Sequence, residues 1–228
     1  MSLINKFNEQ GYNIFSLEKH ITELKRLKNI VEEKFNEALK ANFKEENSEF
    51  FHFTSRPERG SLDLDILPEV EKSILGILKE SDVLSFAKNY WEVDNLLYST
   101  NFSKFRYVDP SLEKQLKYSP LHYDGAFMSG KSINICIPFT GYGREYPGLN
   151  IYKPLNGINF IRYFFGEGKA QRYLKLLGSK TEPFLEIGKC LCFNQDIYHN
   201  RSTTKKQKKR INLEFRIFPD DQKGLKQI

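Results

Sequence analysis

The chain has 228 residues and is 39% apolar, with 19 Phe and 12 Tyr, so it can build a packed core and is not a disordered protein. Its net charge is +6, and five of its basic residues fall in the short run 205–210, which contains no aromatic residue. Such a run is typical of a solvated surface loop and argues against a nucleic-acid partner, although it would also attract an anionic substrate.

Cysteine content and hydropathy set the expected environment of the protein. The three cysteines, Cys136, Cys190 and Cys192, are too few for a disulfide framework and predict a reducing compartment. Cys190 and Cys192 lie in an apolar stretch that is typical of a buried strand rather than of a metal or redox site. The N-terminal residues are polar, without the pattern of a signal peptide, and no apolar run approaches the ~20 residues that span a bilayer. We therefore expect a cytoplasmic protein with no membrane partner.

Residues 1–94 predict mainly helices. Gly11 precedes a short stretch of strand formers, and Ser16 is a suitable N-cap for the amphipathic helix that follows it. Apolar residues then recur at helical spacing as far as Leu39, with charged residues between them. This helix is expected to pack one face on the core.

The next segment contains a loop and two further helices. Residues 43–66 carry turn and loop signals, and a loop of this length is expected to fold over a functional site as a lid. A helix is predicted to start at Pro68 and to run to about Leu78. Asp82 is expected to cap another helix that ends near Tyr90.

From about residue 95 the pattern changes to short strands. They are predicted at 98–108, 132–139, 149–152, 189–193 and 211–218, with one short helix at 170–177. Helices followed by short strands predict an α+β fold, with a cupin-like double-stranded β-helix (jelly roll) and helices packed on one sheet. We expect a single domain over 1–228, in which 1–94 supports a jelly-roll core at 95–220.

Candidate metal ligands come from two separate places in the sequence. His122 and Asp124 are two residues apart and would share one face of a strand. Of the other three histidines, His199 follows an apolar strand, whereas His20 lies in the amphipathic helix and His52 in the loop segment. Two imidazoles and one carboxylate on one face of an ion are typical of non-haem Fe(II) oxygenases, although zinc hydrolases use the same ligand types.

The last predicted strand carries a polar face opposite an apolar one. The polar residues alternate along it: Arg210, Asn212, Glu214 and Arg216. Arginine matches a carboxylate with two parallel hydrogen bonds, so Arg210 is the candidate anchor for the C5-carboxylate of 2-oxoglutarate. The alternative is a solvent-facing strand with a ladder of opposite charges.

Three further side chains are candidate ligands of the same co-substrate. Asn134 and Asn212 could donate secondary hydrogen bonds to it. Arg106 either points inward near the entrance of the barrel or lies on the surface.

With these residues in place, the sequence resembles the phytanoyl-CoA dioxygenase-like superfamily over roughly residues 95–220. The resemblance is carried by His122-Tyr-Asp124, by the stretch from Gly188 to His199, and by Arg210 where that family keeps its 2-oxoglutarate arginine. One branch of the family, associated with carbohydrate and aminoglycoside biosynthesis, shares the pattern Phe-Asn, distal histidine, Arg-x-Asn-x-x-Phe. The lysine-rich insertion before Arg210 departs from the family, which leaves Arg216 as the substitute anchor.

The resemblance implies an activity. His122, Asp124 and His199 would hold Fe(II), and 2-oxoglutarate and O2 would be converted with a small polar substrate to succinate, carbon dioxide and an oxidised, most simply hydroxylated, product. Related halogenases lack a carboxylate at the position of Asp124, so its presence favours hydroxylation, desaturation or ring formation. Two alternatives stay open: a cupin-like metal-binding protein without catalysis, and an oxygenase acting on a macromolecule guided by the lysine loop.

Overall fold

The computed structural model describes residues 2–40, 59–110, 121–126, 131–202, 207–219 and 225–228. The helices in these ranges are α1 Leu3–Gln10, α2 Ile21–Lys40, α3 Pro68–Lys79, α4 Asp82–Trp91, α5 Ile158–Phe165 and α6 Glu167–Leu177. The strands are β1 Tyr12–Ser16, β2 Arg59–Asp63, β3 Leu96–Tyr98, β4 Lys104–Val108, β5 Ile133–Pro138, β6 Gly148–Tyr152, β7 Lys180–Thr181, β8 Lys189–Asn194, β9 His199–Ser202, β10 Arg210–Pro219 and β11 Lys226–Gln227.

The strands form two antiparallel sheets of unequal size. In the larger sheet the order is β1-β8-β5-β10-β3-β11, with β4 also pairing with β10, and β2 with β4. The smaller sheet has the order β7-β6-β9. Strands that neighbour each other are mostly far apart in sequence, as in β5 between β8 and β10, which fits the Greek-key connections of a jelly roll.

The larger sheet has one apolar face and one polar face. Leu213, Phe215 and Ile217 of β10 are fully buried against the helices, together with Ile135 of β5. Because side chains alternate along a strand, Asn212, Glu214 and Arg216 point to the opposite face. The helical layer therefore covers one side of the sheet, as predicted, and leaves the other side for polar chemistry.

Helix α2 supplies much of the packing on the apolar face. Leu24, Leu27, Val31 and Phe35 are fully buried at helical spacing, as the sequence pattern predicts. Truncating such a side chain to alanine typically destabilises a protein by ~2–5 kcal/mol. The stripe is core, so it offers no groove to a partner.

Several sequence-based boundaries were wrong. The chain does not enter α2 directly at Ser16, because a 3-10 turn at Glu18–His20 comes first, with Ser16 Oγ accepting from the backbone of Glu18 at 3.3 Å. Ser81, and not Asp82, caps α4 through a hydrogen bond from the backbone of Val83. Helices α1 and α5 were not predicted, because each is only eight residues long and so shows little helical periodicity.

The predicted loop at 43–66 was also wrong in part. Its last residues form β2 and a 3-10 turn at Leu64–Ile66, and β2 pairs with β4 at the edge of the larger sheet. Positions 41–58, including His52 and most of the predicted lid, lie outside the described residues. The N-terminal third therefore contributes strands β1 and β2 to the larger sheet as well as helices.

A tight turn at Gly11 joins α1 to β1 and lies against the segment that leads into the smaller sheet. Gly11 ends α1 with φ 80°, and a Cβ atom built there would lie 2.2 Å from Cδ1 of Ile197. Only glycine tolerates both the left-handed backbone and this close approach. The turn thus packs α1 against the segment that leads into β9.

Hydropathy of the helices is consistent with their packing on the sheets. No helix in the described ranges is both long enough and apolar enough to cross a membrane.

Candidate metal centre

Backbone pairing brings the two candidate histidines together. The backbone N–H of His122 donates to the carbonyl of His199 at 3.0 Å, and the N–H of His199 donates back to the carbonyl of His122 at 2.8 Å. The pair is an isolated antiparallel bridge at the start of β9, and the ring centroids are 4.4 Å apart. Residues that are distant in sequence are therefore held side by side by the main chain itself.

Asp124 reaches the same point by a different route from the one predicted. It does not sit on a strand: its backbone N–H donates to the carbonyl of Gln195 at 2.9 Å, and it begins a 3-10 turn at Asp124–Ala126. Its Oδ1 atom lies 3.8 Å from Nε2 of His122 and 3.8 Å from Nε2 of His199. Candidate ligand atoms of all three side chains lie within 4.8 Å of one another.

The environment of His199 prepares one ring nitrogen for a metal. Nδ1 lies 3.0 Å from the carbonyl oxygen of Ile197, so the N–H at Nδ1 donates there and Nε2 keeps its lone pair. Burial lowers the pKa of His199, against the opposing effect of the Asp124 carboxylate, which favours the neutral ring that a metal requires. The side chain of His122 is 38% exposed, so the trio is open on that side.

The second oxygen of Asp124 is held by two donors. Oδ2 accepts a hydrogen bond from Nδ2 of Asn134 at 2.8 Å and another from Nη2 of Arg216 at 2.7 Å. Asn134 and Arg216 are opposite each other on β5 and β10, which explains why both reach one oxygen. Both were predicted as 2-oxoglutarate ligands, and in the structure both contact the candidate metal ligand Asp124.

Arg210, which was predicted to anchor a carboxylate, is buried in the structure. It is 4% exposed, Nη1 donates to the carbonyl of Pro147 at 3.0 Å, and the guanidinium lies 4.9 Å from the ring centroid of Tyr142. Its Nε has no hydrogen-bond partner among the described residues, and no carboxylate among them lies within ion-pair distance of Arg210. The alternative of a solvent-facing charge ladder on β10 is wrong at this position.

Asn212 is a second unsatisfied polar group on the same strand face. Its side chain is fully buried, and neither Oδ1 nor Nδ2 has a hydrogen-bond partner among the described residues. Leaving a buried amide without partners costs ~1–3 kcal/mol. Arg210 and Asn212 together therefore present a buried cation and a buried amide whose hydrogen-bonding capacity is not used by the described residues.

Arg106 and Glu214 form a further charged pair on this face. Nε of Arg106 donates to Oε2 of Glu214 at 2.8 Å, and about a third of each side chain is accessible, 36% and 31%. Burial alone would raise the pKa of Glu214, but the facing guanidinium of Arg106, with Arg210 and Arg216 nearby, lowers it. Arg106 thus points inward, which was one of the two predicted placements, and its partner is Glu214.

Known structures share this architecture. No protein-family model and no curated protein sequence matches the chain. Among solved structures, the non-haem α-ketoglutarate-dependent carbocyclase SnoK from nogalamycin biosynthesis aligns with a TM-score of 0.68 at 12% identity, over 97% of this chain and 85% of that one.

Two further structures align over nearly the whole chain. EctD from S. alaskensis, with 2-oxoglutarate and 5-hydroxyectoine, gives a TM-score of 0.65 at 10% identity, over 96% of this chain and 76% of its own. AviO1 from Streptomyces viridochromogenes Tue57 gives a TM-score of 0.59 at 13% identity, over 97% of this chain and 96% of its own.

The fold is that of non-haem 2-oxoglutarate-dependent enzymes. The predicted α+β jelly roll is therefore confirmed.

Most of the contacts that position the site could not be predicted from the sequence. Gln195 and Ile197 act through backbone carbonyls, for which no residue type is required. Tyr142 and Pro147 line the Arg210 side chain from the turn before β6, and no spacing rule relates them to β10. Asn134 was noticed only because the strand period places it on the polar face.

Proposed function

We propose that the protein is an Fe(II)- and 2-oxoglutarate-dependent oxygenase of the phytanoyl-CoA dioxygenase-like type that oxidises a small polar metabolite. The observation that carries this proposal is the convergence of Nε2 of His122, Nε2 of His199 and Oδ1 of Asp124 in a fold used by such enzymes. Two imidazoles and one carboxylate on one face leave positions for a chelating co-substrate and O2.

The donor set fits the proposed iron. The hydrogen bond from Nδ1 of His199 to the carbonyl of Ile197 leaves its Nε2 free to coordinate, and the contacts at Oδ2 of Asp124 leave Oδ1 free. Iron bound there would supply the O2 chemistry, coupled to oxidative decarboxylation of 2-oxoglutarate to succinate and carbon dioxide. One oxygen atom of O2 would enter succinate and the other the hydroxylated product, so the reaction balances without a further reductant.

The proposed anchor for the co-substrate is Arg210. A buried guanidinium without a paired carboxylate is strongly unfavourable, and the distal carboxylate of 2-oxoglutarate would supply the missing charge. Asn212, which follows on the same face, would satisfy its amide on the same ligand. The contacts of Arg216 and Asn134 with Asp124 favour Arg210 over Arg216 as the anchor.

The proposed substrate is a small molecule rich in hydrogen-bonding groups, such as a sugar derivative. The accessible Arg106–Glu214 pair supports this class. A purely apolar substrate would displace water from both charged groups and would offer them no hydrogen bonds in return. Because related halogenases lack a carboxylate at the position of Asp124, its presence favours hydroxylation, desaturation or ring formation over halogenation of the substrate. The three buried free cysteines fit the predicted reducing, cytoplasmic environment.

The direct test is anaerobic titration of the purified protein with Fe(II) and 2-oxoglutarate, followed by exposure to O2. The proposal expects a charge-transfer absorption band that needs both components, and succinate formation that stops in Asp124→Ala. A metal-binding protein without catalysis would bind Fe(II) but give no such band and no succinate. That result would contradict the proposed function.

A further inference from the structure

Exposed apolar side chains are concentrated on the α5–α6 hairpin. Large hydrophobic residues that are clearly exposed number nine in the described chain, and six of them lie here: Phe160, Tyr163, Phe164, Phe165, Leu176 and Leu177. Tyr163 and Leu176 are each 82% exposed. Single exposed apolar residues are ordinary on a protein surface, but a cluster of this size marks an interaction site.

The aromatic residues of α5 form one contiguous surface. The ring centroids of Phe160 and Phe164 are 4.5 Å apart, and those of Tyr163 and Phe164 are 4.9 Å apart. The opposite side of the helix, with Ile158 and Ile161, already packs on the protein. A helix that is apolar on both sides belongs in a buried environment, so the outer side of α5 requires an apolar neighbour.

The hairpin is firmly attached beside the candidate metal centre. The guanidinium of Arg162 lies 4.1 Å from the ring centroid of Tyr123, the residue between the two candidate ligands His122 and Asp124. Tyr198, which precedes His199, donates its hydroxyl to Glu167 at 2.9 Å. The exposed surface therefore belongs to a fixed element of the fold.

The charge of the hairpin indicates what can cover it. Residues 158–180 contain five basic residues and one acidic residue. Among the basic residues, Lys169, Arg172, Lys175 and Lys180 are exposed. A second copy of the chain would bring two such surfaces together and repel itself, whereas anionic lipid headgroups complement both the lysines and the aromatic rings.

We infer that the α5–α6 surface docks the protein on an anionic lipid bilayer, with the aromatic rings at headgroup depth and the basic side chains on the lipid phosphates. Docking of this kind is peripheral and requires no spanning helix. It also departs from the expectation that the protein has no membrane partner, which was based on hydropathy alone. The inference does not depend on the chemistry of the metal centre.

The test is co-sedimentation of the full chain with vesicles of phosphatidylcholine alone and of phosphatidylcholine with phosphatidylglycerol. Binding is expected only to the anionic vesicles, and it should weaken as salt is raised. The double variant Phe164→Ser/Phe165→Ser should lose at least about tenfold in vesicle affinity, because two aromatic rings no longer leave water. Lys169→Gln/Arg172→Gln should lose about fivefold for each charge removed.

Matched controls separate this surface from nonspecific attraction. Lys72→Gln/Lys79→Gln removes the same net charge from exposed positions on α3, and Leu3→Ser removes an exposed apolar residue on α1, so both should bind as the unaltered protein does. Equal binding to both vesicle types, or no binding to either, would overturn the inference. Self-association that is lost in Phe164→Ser/Phe165→Ser would also overturn it, in favour of a second copy.

Discussion

Arg216 donates through Nη2 to Oδ2 of Asp124 at 2.7 Å, and the other oxygen of that carboxylate lies 3.8 Å from Nε2 of each candidate histidine ligand. The guanidinium therefore holds one oxygen while the other faces the imidazoles. Asn134 reinforces the arrangement with its own hydrogen bond to Oδ2 at 2.8 Å. This division of the two oxygens orients the carboxylate for coordination through Oδ1 alone.

Replacing Arg216 should weaken metal binding more than co-substrate binding. Arg216→Gln releases Oδ2, and removal of a group that orients a ligand typically costs ~10–100-fold in metal affinity. The measurement is anaerobic titration of the apo protein with Fe(II), followed by titration of the iron-loaded protein with 2-oxoglutarate. Arg216→Lys, which keeps the charge, should recover part of the metal affinity.

A control variant distinguishes orientation from a general loss of positive charge. Arg106→Gln also removes one guanidinium from the interior face, but its partner is Glu214, so metal affinity should change much less. If Arg216→Gln bound Fe(II) normally and lost only 2-oxoglutarate, Arg216 would be the co-substrate anchor and the orienting role would be wrong.

Replacing Arg210 should produce the opposite pattern. Arg210→Ala removes the buried guanidinium proposed to pair with the distal carboxylate, and a charged hydrogen-bonded contact is worth ~1.5–3 kcal/mol. We therefore expect 2-oxoglutarate affinity to fall at least about tenfold, with Fe(II) affinity unchanged. Arg210→Lys should recover little, because lysine lacks the planar fork that binds a carboxylate with two hydrogen bonds.

The same experiment tests the unsatisfied amide of Asn212. Asn212→Leu, of similar volume, should weaken 2-oxoglutarate binding by a smaller factor than Arg210→Ala and should not weaken the fold, because the native amide has no partner among the described residues. A variant that is markedly less stable, with unchanged 2-oxoglutarate affinity, would show that Asn212 has a structural role.

The periodic parts of the sequence predicted the fold well. The stripe of α2 and the alternation along β10 each identify a buried face, because burial is what produces the pattern. The scarcity of histidine made His199 identifiable as a candidate ligand. These signals depend on residue type, so they can be read without coordinates.

The remaining features depend on contacts that residue type does not determine. Asp124 reaches the centre through a 3-10 turn fixed by the carbonyl of Gln195, and the strand period predicted a strand there. The alternation along β10 placed Arg216 on the polar face, but an arginine side chain is long enough to reach several partners. Only the register that sets Arg216 opposite Asn134 identifies Asp124 as the partner of both. Helix α5 was not predicted, because eight residues are too few to show a clear helical period.

The Arg106–Glu214 pair should make stability depend on pH in a defined direction. The pKa of Glu214 is lowered in the folded protein, so the carboxylate contributes stability that is present above its unfolded pKa and is lost as the pH falls through the folded value. Glu214→Gln should therefore lower the midpoint of thermal unfolding at neutral pH. The difference from the unaltered protein should shrink as the pH falls through the lowered pKa, where the native carboxylate is itself protonated.

An exposed pair provides the control for this pH dependence. Glu145 also has a lowered pKa because of its hydrogen bond with Lys208, but both side chains are largely exposed to solvent. Surface pairs of this kind contribute little to stability, so Glu145→Gln should leave the thermal midpoint nearly unchanged at every pH. A difference between Glu214→Gln and the unaltered protein that stayed constant from neutral to acid pH would argue against the pair as its source.

The cysteines should behave as core residues without a redox or metal role. Cys136, Cys190 and Cys192 are free and buried, and burial raises the pKa of Cys136 and Cys192. Because the thiolate is the reactive form, a thiol reagent should label none of the three in the native protein at neutral pH and all three in denaturant. Cys192→Ala should reduce stability by ~1–2 kcal/mol through lost packing, with Fe(II) affinity unchanged. Rapid labelling of the native protein, or loss of iron binding in Cys192→Ala, would contradict the assignment of Cys190 and Cys192 to the apolar face of the sheet and of Cys136 to a separate buried cluster.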